Sequence, residues 1–276
     1  ASIVAINQQI ASLFATGLEN GSASAITNSV IFLQIPLGIF MTSVATVLFP
    51  RMSRQAAEND RDGLRGSVSY GIQFIIVLLV PSAVLLCLFG REIIAAAVQR
   101  GAFVPANTLM ASRALTGYAL GLVCMGLYTF LQRLFNSFKS FSVPIVSAGV
   151  IATIDIVFSL ILKETPLRVS GLAYANSIAF TVGMVLLALL ARKRLGGLGV
   201  GPILATLGKA ALGSLPMAAL LVAFLAWKPD LWRSGGSLRA TALIAAVIAA
   251  SVGVTLLMYV ILRIPFLSDL VRRRRA

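Results

Sequence analysis

Apolar runs close to twenty residues long recur along this chain, each separated from the next by a short segment that carries arginine or lysine. The hydrocarbon core of a bilayer is about 30 Å thick, which an α-helix of about 20 residues crosses. Barrel strands would instead alternate in polarity over about ten residues. The runs therefore predict helices that span a membrane. Only 12% of the residues are charged and 58% are hydrophobic, where a soluble domain carries about 25% charge. No soluble core could hide so much apolar surface.

The expected fold is an all-α integral membrane protein with about eight transmembrane helices. The spans are 1–18, 25–49, 68–89, 109–132, 143–162, 171–191, 203–227 and 238–262. With the amino end cytoplasmic, fifteen of the 23 Lys/Arg fall on the cytoplasmic face and seven on the other, with Arg113 inside a span. The positive-inside rule thus puts both ends in the cytoplasm. Residues 196–202, basic before and glycine-rich within, make the clearest internal boundary. They divide a six-helix unit (1–195) from two further helices (203–262) and a basic tail (263–276).

The same composition excludes several chemistries. There is no histidine, which removes histidine bases and histidine metal sites from this chain. Cys87 and Cys124 lie in apolar runs without metal-like spacing, as buried thiols do. No metal site and no cofactor is expected. The net charge of +14 suits cytoplasmic loops and anionic phospholipids better than nucleic acid. Ala1-Ser2-Ile3-Val4 enters a helical pattern directly, so the chain is expected to be a piece of a larger protein.

Polar residues inside the spans mark the candidate site. Gln8, Ser12 and Thr16 recur at every fourth residue and share one face of the first span, with Asn7 and Gln9 beside them. Thr27, Asn28 and Gln34 follow in the second. These residues either bond neighbouring helices or line a hydrated cavity. Pro36 and Gly38 predict a hinge in the second span, tolerated at membrane depth only where neighbours or a cavity satisfy the freed carbonyls. That span is expected to end at Pro50, followed by a basic loop to Gly66. A short amphipathic excursion is expected from Gly90 to Phe103.

Arg113 either snorkels to the headgroups or faces inward to meet an anion. Gly117 and Gly121 form a close-packing seam one and two turns further on. Asp155 is a carboxylate deep in the fifth span, with Ser147, Ile151 and Ser159 on its face. It is a functional-site candidate by position, or else a protonated side chain hydrogen-bonded between helices. Asn176 opens the polar face of the sixth span.

The ordered succession of motifs resembles the lipid II flippase family (the MurJ/MviN type) within the multidrug, oligosaccharidyl-lipid and polysaccharide exporter superfamily. The matching residues are Ala11-Ser12-Leu13, Gly21-Ser22, Pro36-Leu37-Gly38 and Thr46 with Pro50-Arg51-Met52-Ser53. Gln99-Arg100-Gly101-Ala102-Phe103, Arg113-Ala114-Leu115, Tyr118-Ala119-Leu120-Gly121-Leu122, Phe135 with Pro144, and Gly171-Leu172-Ala173 continue it. The resemblance covers about the first 195 residues. It implies the second lobe of a V-shaped two-lobe transporter with two extra helices, working by alternating access in a bacterial inner membrane. A missing N-terminal lobe of the same protein would face it. The implied cargo is a lipid-linked pyrophosphate, the peptidoglycan precursor lipid II, and no covalent chemistry is implied.

Several positions depart from the family's pattern. Val30 and Ile31 stand where an Asp-Arg pair is usual, Thr129 where a lysine is, Ser140 and Ser142 where charged residues are, and Asp155 where an asparagine is. A pyrophosphate wants two or more cationic donors, and the sequence offers Arg113 alone. Three other readings therefore stay open. One is a polysaccharide or multidrug exporter using Asp155 as a proton or cation site, and another is a non-transporting scaffold. The third is a polyprenyl-phosphate transferase, although the acidic cluster such an enzyme uses is absent from the sequence.

Overall fold

The computed structural model describes residues 3–138, 140, 142–234 and 237–264. Nine α-helices run through them: α1 (Ile3–Thr16), α2 (Ser22–Ala57), α3 (Arg61–Val98), α4 (Pro105–Leu120), α5 (Leu122–Ser137), α6 (Ser142–Leu162), α7 (Val169–Leu195), α8 (Val200–Trp227) and α9 (Leu238–Ile261). No strand occurs among the described residues. Six of the helices are long and apolar enough to cross a membrane, and the pair α4 and α5 makes a seventh span if counted together. Taken with α1, which has 14 residues, these are the eight expected segments. The chain is a multi-pass membrane protein.

Local signals set several helix ends. The Asp60 side chain accepts from the Gly63 amide at 2.9 Å and starts α3. Pro105 opens α4 at a position where a missing N–H costs nothing. Gly196, at φ 69°, closes α7 by returning its amide to the Arg192 carbonyl. The bare glycine-rich link is therefore 196–199, because α8 already begins at Val200. The basic tail from 265 onward, with Arg272 to Arg275, lies outside the described residues.

Three expectations about elements are corrected. The fourth span is two helices, bent by 50° at Gly121. The Gly121 amide reaches the Tyr118 carbonyl at 3.0 Å, a tighter turn that redirects the axis. Neither Pro36 nor Pro50 ends α2, which continues for seven residues past Pro50 to Ala57. A proline removes one N–H and leaves the rest of the ladder intact, so the expected basic loop shrinks to Glu58–Asp60. Pro36 and Gly38 lie inside this one helix, and among the described residues nothing lies within 4 Å of a Cβ built at Gly38. The excursion after Phe89 is α3 itself, which stays helical to Val98.

Packing follows the small residues. A Cβ on Gly117 would stand 2.8 Å from the Ala173 Cβ, and one on Gly121 2.4 Å from the Ser177 Oγ. The two glycines thus form the expected seam, and it seats α4 on α7. Close backbone approach is how helices associate where hydrophobic burial offers no gain. Tyr118, Tyr128, Phe130, Phe135 and Phe180 fill the centre of the bundle and are buried. α8 lies along α3 and α9 along α8, with Phe89, Met217, Leu221, Ile244 and Val247 between them. Apolar side chains such as Ile145, Leu212 and Leu257 point outward, where lipid would meet them.

Candidate functional site

Three places gather the polar residues expected to work. The first is a cleft between α1 and α2 of about 570 Å³, lined by Gln9, Ser12, Thr16, Thr27 and Gln34 among apolar neighbours. Ser12, Thr16 and Gln34 therefore meet in one cavity. The side chain of Gln8 lies outside the described residues. Asn28 does not line the cleft, because its amide turns back to the Ser24 carbonyl at 2.8 Å. Val30 and Ile31 do line it, so the two positions without their usual charges sit on the cavity wall. No ionisable side chain belongs to this lining.

The second place is a cavity of about 730 Å³ at the end of the bundle where α3 closes and α4 opens. Arg113 lines it, exposed on α4. Glu19 of the α1–α2 turn, Arg168 at the start of α7, and Tyr174 one turn and a half later join it. Arg168 and Glu19 form an ion pair, with side chains 61% and 47% exposed. None of these three partners carried a site reading in the sequence. They come from separate turns, and no periodicity links residue 19, 113 and 168.

The third place is not a cavity at all. On α6 the buried residues are Ser147, Ile151, Asp155 and Ser159, the face expected from their spacing. Asp155 and Asn176 are both buried, and the Asn176 Nδ2 donates to Asp155 Oδ2 at 3.4 Å, a long bond. Among the described residues, Asp155 Oδ1, Asn176 Oδ1 and the Tyr118 hydroxyl have no hydrogen-bond partner. A buried acceptor without a donor costs about 1–3 kcal/mol, more when charged. Two orphan acceptors on one bonded pair can be satisfied by a shared proton or a small cation. The hydroxyl of Ser147, on the same face, instead meets the Tyr128 hydroxyl at 3.1 Å, which also accepts from Gln132 at 2.6 Å.

Comparison with known proteins gives the family. The model of the family described as lipid II flippase MurJ matches residues 1–246. A probable lipid II flippase MurJ of Borreliella burgdorferi is 27% identical over 272 residues, covering 99% of this chain and 53% of the relative. A lipid II flippase MurJ of Thermosipho africanus is 30% identical over 158 residues, 56% of this chain and 32% of the relative. A solved structure of lipid II flippase MurJ in an inward closed conformation superposes with a TM-score of 0.73 at 23% identity. It is covered to 51% by 96% of this chain, and at that identity the likeness is one of fold. The chain spans about half the length of the Borreliella relative and of the solved structure. With the family match running through nearly all of the membrane helices, the chain belongs to the lipid II flippase MurJ family.

Proposed function

We propose that the protein containing this chain moves a lipid-linked pyrophosphate of the lipid II type from the inner to the outer leaflet of a bacterial inner membrane. It works by alternating access, as a transporter and not an enzyme. This chain supplies the second six-helix lobe and two extra helices, and a first lobe of the same protein faces it across the cargo path. Both ends of the chain are cytoplasmic, which makes the arginine pocket its outer end. The observation that carries the reading is family membership joined to Arg113 in an open cavity. A guanidinium offers a fork that fits a phosphate.

Other features support parts of this reading. Anionic phospholipids are the expected neighbours at the opposite end, where Arg65, Arg192 and Lys193 surround a cavity of about 620 Å³ beside the glycine-rich link. The neutral cleft between α1 and α2 suits hydroxyl and amide groups of a cargo rather than its charge. Asp155 and Asn176 favour a second reading within the superfamily, an exporter driven by a proton or cation held between them. The test is reconstitution of the full-length protein in vesicles holding lipid II in one leaflet. Transfer to the other leaflet is expected, and transfer of an unrelated saccharide or drug in its place would support the exporter.

A further inference from the structure

We infer that Arg168 is the second cationic donor for the cargo's diphosphate, and that Glu19 holds its guanidinium until a phosphate displaces the carboxylate. The inference rests on the proposed transport of a lipid-linked pyrophosphate and names what the sequence left out. Arg113 alone is one donor, and a diphosphate wants two or more. Arg168 lines the same cavity, 55 positions further along the chain.

The backbone that carries Arg168 is held in a specific turn. Arg168 has φ 44°, a left-handed conformation uncommon for a residue with a Cβ. Its amide donates to the Thr165 carbonyl at 3.1 Å, and its carbonyl accepts from the Gly171 amide at 3.0 Å. Gly171 has no room for a Cβ, which would lie 2.6 Å from the Leu162 carbonyl. The turn is therefore clamped onto the end of α6. Arg168 is also the N-cap of α7 and gives no side-chain cap, while Val169 and Ser170 of the first turn line the cavity. The positive end of a 27-residue helix adds to the two guanidiniums.

Glu19 supplies the counter-charge that an empty anion site needs. An exposed ion pair contributes little stability, so a phosphate with more charge and more acceptor oxygens can replace it. The exchange also removes one tie between the α1–α2 turn and the start of α7.

The experiment uses full-length protein in nanodiscs and undecaprenyl pyrophosphate as the probe. Arg168→Gln should weaken binding about tenfold, the loss of a charge-assisted bond at a half-open site. Glu19→Gln should tighten binding about threefold by removing the competitor, and should have no such effect in the Arg168→Gln background. Arg168→Lys should fall between, keeping the charge and losing the fork. If Glu19→Gln lowers the melting temperature without tightening the lipid, the pair is only a structural tie and the latch is overturned. Equal binding by wild type and Arg168→Gln sinks the donor while leaving the transport reading in place. Failure of wild type to bind the probe sinks both. Inorganic pyrophosphate binding as tightly as the lipid would overturn a lipid headgroup as the occupant.

Discussion

The seam between α4 and α7 gives a test whose size can be worked from distances. In Gly121→Ala the new Cβ would lie 2.4 Å from Ser177 Oγ and 2.7 Å from Ser177 Cα. The hydroxyl can rotate away, but the Cα belongs to the backbone. Restoring van der Waals contact therefore moves one helix by about 1 Å, and such overpacking costs about 1–3 kcal/mol. The shift also stretches the 2.6 Å bond from Ser177 Oγ to the Gly117 carbonyl, worth about 0.6 kcal/mol between membrane helices. Gly121 itself has φ −87° and ψ −5°, which alanine adopts freely, so no backbone strain enters. For a chain of this size about 2–4 °C accompanies each kcal/mol, and a fall in apparent melting temperature of roughly 5–10 °C follows. The assay is heating in detergent, read by loss of the monodisperse peak. Gly149→Ala is the comparison, because nothing lies within 4 Å of its Cβ and alanine is the better helix former. It should leave the melting point unchanged or slightly raised. An equal fall in both variants, or none in Gly121→Ala, would refute the seam.

On the exporter reading, Asp155→Asn in the full-length protein abolishes transport at normal expression, since it keeps the shape and removes the site for a proton or cation; on the flippase reading it restores the family's usual asparagine, and wild-type activity would end the proton or cation role. Arg113→Lys should weaken undecaprenyl pyrophosphate binding severalfold because the fork is lost, and unchanged affinity would leave Arg113 as a snorkelling side chain. Tyr128→Phe removes the partner of both Ser147 and Gln132. It should destabilise the protein by about 1–2 kcal/mol, seen as a lower melting point with lipid affinity intact.

What the sequence made legible was whatever repeats along one helix. The spacing of Ser147, Ile151, Asp155 and Ser159 gave the buried face of α6 without any knowledge of its neighbours. Gly117 and Gly121 gave the seam in the same way. Helix ends were misjudged where proline was treated as a stop, as at Pro50, because one lost N–H does not end a helix whose next turns still bond. The bend at Gly121 was missed for a related reason: the apolar run continues through it, and hydropathy carries no information about direction. The arginine pocket was illegible because Glu19, Arg113 and Arg168 meet only through tertiary packing. Glu19 and Arg168 alone read as loop charges, and only Arg113 stands out in the sequence as a candidate anion contact.

The same three residues bear on the departures at Val30 and Ile31. Those positions wall a cleft with no ionisable lining, and a diphosphate drawn into such a cleft would lose its hydration without gaining a counter-charge, at a cost of several kcal/mol. On the proposed function, then, the cleft between α1 and α2 does not hold the cargo's charge. This chain can hold that charge where Arg113 and Arg168 converge with the start of α7. No cationic donor belongs to the lining of that cleft among the described residues, and on the proposed function the first lobe supplies it. The division has a mechanical consequence. A lobe that grips the diphosphate only at its outer end adds binding free energy late in the crossing, after the outer side begins to open. On the inferred latch, the Glu19–Arg168 pair, which links the α1–α2 turn to α7, breaks at that same step. Swapping charges so that Val30 and Ile31 become Asp and Arg should therefore move the binding site inward. Initial capture from the cytoplasmic leaflet should become faster and outer release slower, resolved by measuring lipid uptake and release separately in vesicles. If both rates rise together, the grip is not confined to the outer end.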